Sequence, residues 1–262
     1  MRYVLSSAGS HYGYYTNSDM QKCDFYLESF WKLPSKKAID IMKKSKMFLL
    51  DSGGYTFINS DKGASLDVDS YLQEYVDFIN DNDIKYFFDI DIEEFIGYDK
   101  VLKNRKKIER LTNKQPIPVW HKPLGCQAFF DMCDEYKYVA IAGFAHRHFT
   151  EKHFPAISKM IDIAHSKGCK IHGLGVGRMD LVYRFNFDST DSTTWLLPSY
   201  TGVPIFFDEG TGRLVRTDST AKYARRKAVG SAKDLSRHNF LEAIKFQQYA
   251  KKNIDIVEEE DM

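Results

Sequence analysis

Short apolar stretches recur along the chain, separated by longer stretches in which apolar residues return every three or four positions. RYVLSS (2–7), MFLLD (47–51), YFFDID (86–91), IPVWH (117–121), YVAIAG (138–143), KIHGLG (170–175) and FNFD (185–188) read as strands. Between them SKKAIDIMKKSK, VDSYLQEYVDFIN, YDKVLKNRKKIERL, CQAFFDMCDEY and FPAISKMIDIAHSK each carry one apolar face and read as helices. Strand and helix in alternation is the pattern of a parallel sheet. The even spacing, with a polar residue closing almost every strand, favours a (β/α)8 barrel of the TIM type over a doubly wound sheet, because only a barrel gathers all those strand ends on one rim. Seven strands are evident; the eighth is expected either at VPIFFD (203–208) or within 9–32.

After Trp195 the pattern changes. GVPIFFDEGTGRLVR reads as a hairpin turned at Glu209 and Gly210, and LSRHNFLEAIKFQQYAKKN as a terminal amphipathic helix closing the barrel's floor or side. With no internal repeat and no linker, residues 1–262 are expected to form one domain, with a barrel core over 1–200 and the hairpin, a basic segment and the helix over 201–262.

The chain has 262 residues, 43% of them hydrophobic and 15% aromatic, enough for a large core. Its net charge of +1 leaves contact with a polyanion to local patches. The four cysteines fit no common zinc spacing, and His146, Arg147 and His148 read as a basic loop, so no metal and no other cofactor is expected. A long apolar leader and a membrane-length apolar run are both missing, which points to a cytoplasmic protein without membrane association, in the host cytoplasm if phage-encoded.

The candidate chemistry sits at strand ends. Asp51 precedes two glycines that turn the chain sharply and leave room for a ligand, although an Asx turn has the same appearance. Asp89 and Asp91 alternate along one strand and are expected on the same face, where unpaired charge is too costly to bury without a ligand, cation or basic partner. The glycines of HGLGVG, Gly175 among them, suit a backbone wall beside a flat ligand. FDSTDSTTW sets Asp188 and Asp191 three apart, as a polar turn would or as a reactive site would.

Taken in order, LLDSGGYTF, FFDIDIEE, YVAIAGF, HGLGVG and FDSTDSTTW resemble the motifs of the tRNA-guanine transglycosylase superfamily, over residues 47–196. The resemblance implies a barrel enzyme that exchanges guanine in nucleic acid through a covalent aspartyl-glycosyl intermediate. Asp191 would be the nucleophile and Asp51 the general acid and base, in the turn that continues through Ser52 and Gly53. Asp89 would bind the purine edge, and Ala142, Gly143 and Phe144 would face the base; Gly175 and Asp188 would support the site. The family's zinc ligands do not follow Trp195, and the usual glutamine after the middle strand is replaced by Val119, Trp120, His121 and Lys122, so Trp120 or His121 would contact the base instead. A zinc-free chain of this kind is more similar to the DpdA-type branch, which places a 7-deazaguanine in DNA. The implied partners are therefore DNA, or tRNA as the variant, and a 7-deazaguanine base such as preQ0. Lys222, Arg225, Arg226 and Lys227 would neutralise backbone phosphates. A glycosidase or nucleosidase on the same barrel and a nucleic-acid-binding subunit without turnover are the other readings.

Overall fold

In the computed structural model, which describes residues 1–54, 56, 67–145, 147–216 and 230–254, eight parallel strands form one sheet. They are β1 (Arg2–Ser6), β2 (Phe25–Ser29), β3 (Met47–Asp51), β4 (Tyr86–Phe87), β5 (Val119–Trp120), β6 (Tyr138–Ile141), β7 (Lys170–Gly173) and β8 (Ser189–Ser192). β1 pairs with both β2 and β8, and a parallel bridge between Phe88 and Ile117 joins the two edge strands, so the sheet curls into the barrel that the alternation predicts. All five predicted helices form: α1 (Lys36–Met42), α2 (Val68–Asp81), α3 (Tyr98–Thr112), α4 (Gly125–Glu135) and α5 (Phe154–Ser166).

Parallel strands covered by helices bury both faces, which is why they read as nearly continuous apolar runs. Val4, Leu27, Leu49, Phe88, Val119 and Ala140 fill the barrel interior. Their neighbours Leu5, Tyr26, Leu50, Phe87, Trp120 and Ile141 pack outward into the layer beneath the helices. This alternation decides which strand-end side chains face the barrel mouth.

Two strand expectations are corrected. The eighth strand is β2, within the 9–32 interval, and VPIFFD instead enters the hairpin of β9 (Ile205–Asp208) and β10 (Arg213–Arg216). FNFD is not a strand: Phe185 and Phe187 pack against Phe144 in the outer layer, Phe185 also against Phe154, and the strand follows as the wholly buried and polar Ser189–Ser192. Burying four polar residues in a row is tolerated because the ladder and internal side-chain partners satisfy them.

The terminal helix α6 (Ala232–Asn253) lies along the side of the barrel. Its buried Gln247 donates to the carbonyls of Tyr3 and Phe25 and accepts from Asp24 N–H, which pins the helix across β1 and β2. Asn239 and Glu242 accept from Ile205 and Phe207 N–H and hold the hairpin in turn.

Candidate active site at the barrel rim

Asp191 lies on β8 with its side chain turned into the barrel. Ser6, at the end of β1, donates its hydroxyl to Oδ2 at 2.6 Å, and Gly175 N–H, in the turn after β7, donates to Oδ1 at 2.6 Å. His172 Nε2 is 3.2 Å from the same oxygen, and its Nδ1 is 2.5 Å from Ser189 Oγ, which also meets Tyr138 Oη. A carboxylate can only accept, so a neutral His172 facing an ionised Asp191 carries its proton on Nε2, and in that tautomer Nδ1 accepts from Ser189 and Ser189 from Tyr138. These contacts fix the direction in which Asp191 points and leave it 6% exposed.

Asp51 closes β3, paired in register with Ser29 at the end of β2. It keeps some exposed surface, yet its carboxyl is packed among enough protein for burial, followed by the charges of Asp91 and Asp191, to raise its pKa to about 7. The Gly53 N–H and the Ser29 hydroxyl pull the other way and are outweighed. Gly53 has φ +75°, and any side chain there would overlap Trp31 and Ser29, so the turn after Asp51 requires glycine. Ser52 is buried, its hydroxyl 3.4 Å from Asp91 Oδ1 and its carbonyl accepting from Tyr71 Oη.

Asp89 and Asp91 do not share a face. The ladder of β4 ends at Phe88, and past it the two-residue alternation no longer applies. Asp89 turns outward beneath α3, where Arg105 Nε donates to it at 2.7 Å and Val119 N–H at 3.0 Å. Burial raises the Asp89 carboxyl's pKa although the Arg105 charge opposes it, and Arg105, 2% exposed, cannot shed its proton and commits Asp89 as its partner. Asp91 is the member that reaches the rim, 2.9 Å from His121 Nε2. Burial opposes a charge on His121, but Asp91 and then Glu93, 3.9 Å away, overcome it and raise its pKa to about 9.

The other expected residues divide. Trp120 faces outward, its indole donating to Gly125 O and lying edge-on to Phe129, so it is not in position to stack on a base. Phe144 is likewise spent in the outer aromatic layer, whereas Ala142 lines the barrel interior and Gly143, at φ +108°, turns the chain at its mouth. Asp188 belongs to the opposite end of β8. Its Oδ2 accepts from Ile171 N–H at 2.7 Å and meets His165 Nε2 at 2.9 Å, a structural tie rather than a rim group. Lys222, Arg225, Arg226 and Lys227, with Tyr55 and His146, fall outside the described residues.

Sequence reasoning missed Ser6, Ser29, Arg105 and His172. The last had a signal, a histidine placed two residues before the Leu174-Gly175 turn, next to the apolar Ile171 in a buried strand. Among the described residues no group of three or more His, Cys, Asp or Glu side chains could hold a metal ion, and no helix is long and apolar enough to cross a membrane.

No protein-family model and no curated protein matches the chain. Among solved structures it is similar to the carboxyl transferase domain of Rhizobium etli pyruvate carboxylase with 3-hydroxypyruvate, at TM-score 0.50 and 11% identity, over 95% of this chain and 48% of that one. The chain thus spans about half the length of that structure, and the likeness is one of fold. The same domain with 3-bromopyruvate gives TM-score 0.48 at 10% identity, again over 95% and 48% of the two chains. A GH113 beta-1,4-mannanase gives 0.40 at 7% identity, over 66% of this chain and 71% of that one.

Proposed function

We propose that this chain is an enzyme, a guanine transglycosylase that exchanges a base in nucleic acid, with DNA as the acceptor and tRNA the variant. The observation that carries this reading is the pairing at one rim of two aspartates with different tasks: Asp191, aimed by Ser6, Gly175 and His172, and Asp51, which keeps its proton up to about neutral pH.

Displacement of a purine from C1′ passes through an oxocarbenium-like state that a carboxylate can trap. Asp191 Oδ forms the bond to C1′ as the C1′–N9 bond breaks, and Asp51 gives its proton to the departing guanine. A 7-deazaguanine then enters, loses its ring N–H proton to the Asp51 carboxylate, and displaces Asp191 from C1′. Asp51 ends protonated and Asp191 free, so the cycle closes. Asp91, backed by His121 and Ser52, takes the purine-edge role that the motif resemblance assigned to Asp89, because Asp89 is committed to Arg105. Reaching C1′ in a duplex requires the target nucleotide to leave the stack.

The test is incubation with a guanine-containing oligonucleotide and labelled 7-deazaguanine, read by mass spectrometry of intact protein and of released nucleosides. Wild type is expected to form an adduct on Asp191 and to incorporate label; Asp191→Ala is expected to do neither. Full exchange by Asp191→Ala would refute the nucleophile. Free guanine without incorporation would select a hydrolase in place of the transglycosylase.

A further inference from the structure

Beside the rim, the turn after β7 and the turn after β8 press together. Any side chain at Gly177 would overlap Ser192 and Thr194, while two residues earlier Gly175 N–H holds Asp191. Between these turns and the hairpin lies a cavity of about 170 Å³ lined by Met179, Thr194, Trp195, Ile205, Leu214 and Arg216.

Two of its lining residues have donors without acceptors. Trp195 is fully buried, and its indole Nε1–H has no hydrogen-bond partner among the described residues, a state that costs about 1–3 kcal/mol unless a ligand relieves it. Arg216 is exposed at the hairpin end and makes no ion pair among the described residues. Arg178, at the cavity's edge, is by contrast already held bidentately by Asp180. An indole N–H and a guanidinium unpaired among the described residues offer donors only, and the apolar walls of Ile205, Leu214 and Met179 strengthen the pull of the buried indole on a negative charge. In barrels of this type the loops after the seventh and eighth strands are a recurrent phosphate site.

The geometry points to a phosphate-binding subsite here, taking a phosphodiester that flanks the target nucleotide; the source of the phosphate rests on the transglycosylase reading, the site itself does not. The phosphate enters from the Arg216 side, and side chains lining the cavity shift for it to reach the buried Trp195 Nε1. Because the turn after β7 both lines the cavity, through Gly177, and holds Asp191, through Gly175 N–H, a phosphate held there would present the adjoining sugar to the nucleophile.

The test follows the indole N–H signals of ¹⁵N-labelled full-length protein. The chain has three tryptophans, and Trp195→Phe assigns the relevant signal. The probes are inorganic phosphate, deoxyguanosine 5′-monophosphate, a guanine-containing single-stranded oligonucleotide, and the same oligonucleotide with neutral methylphosphonates on both sides of the guanine. The Trp195 signal is expected to move downfield and saturate with inorganic phosphate and with the oligonucleotide. Arg216→Ala, at an exposed position, is expected to weaken both about tenfold, and the methylphosphonates to weaken the oligonucleotide by a similar factor. Saturation by the mononucleotide but not by the oligonucleotide supports the site and identifies a free nucleotide as the source. A shift without any Asp191 adduct keeps the subsite and removes the transglycosylase reading. An adduct without a shift, or an Arg216→Ala protein that binds as tightly as wild type, overturns the subsite.

Discussion

Two Asp–His pairs flank strand β8, one from Asp188 just before it and one from Asp191 near its far end. At the start of the strand Asp188 meets His165 at 2.9 Å, and near the mouth Asp191 meets His172 at 3.2 Å. The residue types and distances are nearly the same, yet one pair ties the sheet to α5 and the other stands among acids at the rim. An odd step along a strand reverses the face, so Asp188 falls beneath a helix and Asp191 inside the barrel. Asp89 and Asp91 repeat the lesson where the strand has ended: one is locked on Arg105 and the other is open to the mouth. A carboxylate's position relative to the barrel mouth, more than its immediate partner, separates structural acids from candidate reactive ones.

The comparison breaks most sharply at Asp191. On the proposed function, Asp191→Ala is expected to lower exchange by at least about 10³-fold while the protein still unfolds cooperatively, since the loss would fall on a covalent step. Kinetics within tenfold of wild type would make the rim pair structural after all. Next in size, Asp89→Asn strands the buried Arg105 charge and is expected to cost about 3–5 kcal/mol in urea unfolding, against about 1 kcal/mol or less for Asp91→Asn. Equal costs would erase the distinction within that pair. Asp188→Asn is expected to cost about 1–3 kcal/mol and to leave adduct formation at 25 °C unchanged.

The smallest effect concerns pH. A carboxyl whose folded pKa is raised binds more protons folded than unfolded, so its contribution to stability is intact below the unfolded value and is lost as pH rises from about 4 through about 7. Asp51→Asn is therefore expected to be more stable than wild type above pH 7, by about 1 kcal/mol or more, with the gain vanishing near pH 4. In wild type, adduct formation should fall above pH 7 as the acid is lost. A pH-independent difference in thermal unfolding would show that Asp51 carries no such shift.

Much of the barrel was legible because both faces of its strands are apolar and its helices are amphipathic. β2 hid because Glu28 and Ser29 end a short strand in polar residues, and β8 hid because its four residues are polar and satisfied internally. Asp51, Asp191 and His121 were readable as strand-end groups. Asp89 was misplaced because the partner that claims it, Arg105, sits in KNRKKIER, a run whose bases all look solvated until the helix is turned against the barrel. The outward turn of Trp120 was equally invisible, since one residue of register decides it.

With His172 neutral and protonated on Nε2, the line from Tyr138 through Ser189 to His172 has a single polarity, because each hydroxyl has one proton to give. Its order is set by the acceptor at its upper end. On the proposed mechanism, esterifying an Asp191 oxygen to a sugar would weaken that acceptor and release the line to reverse, so the middle of the barrel would register an event at its mouth. Tyr138, seated well below the rim, would then report that event through the vibrational frequency of its phenol, without any probe entering the site.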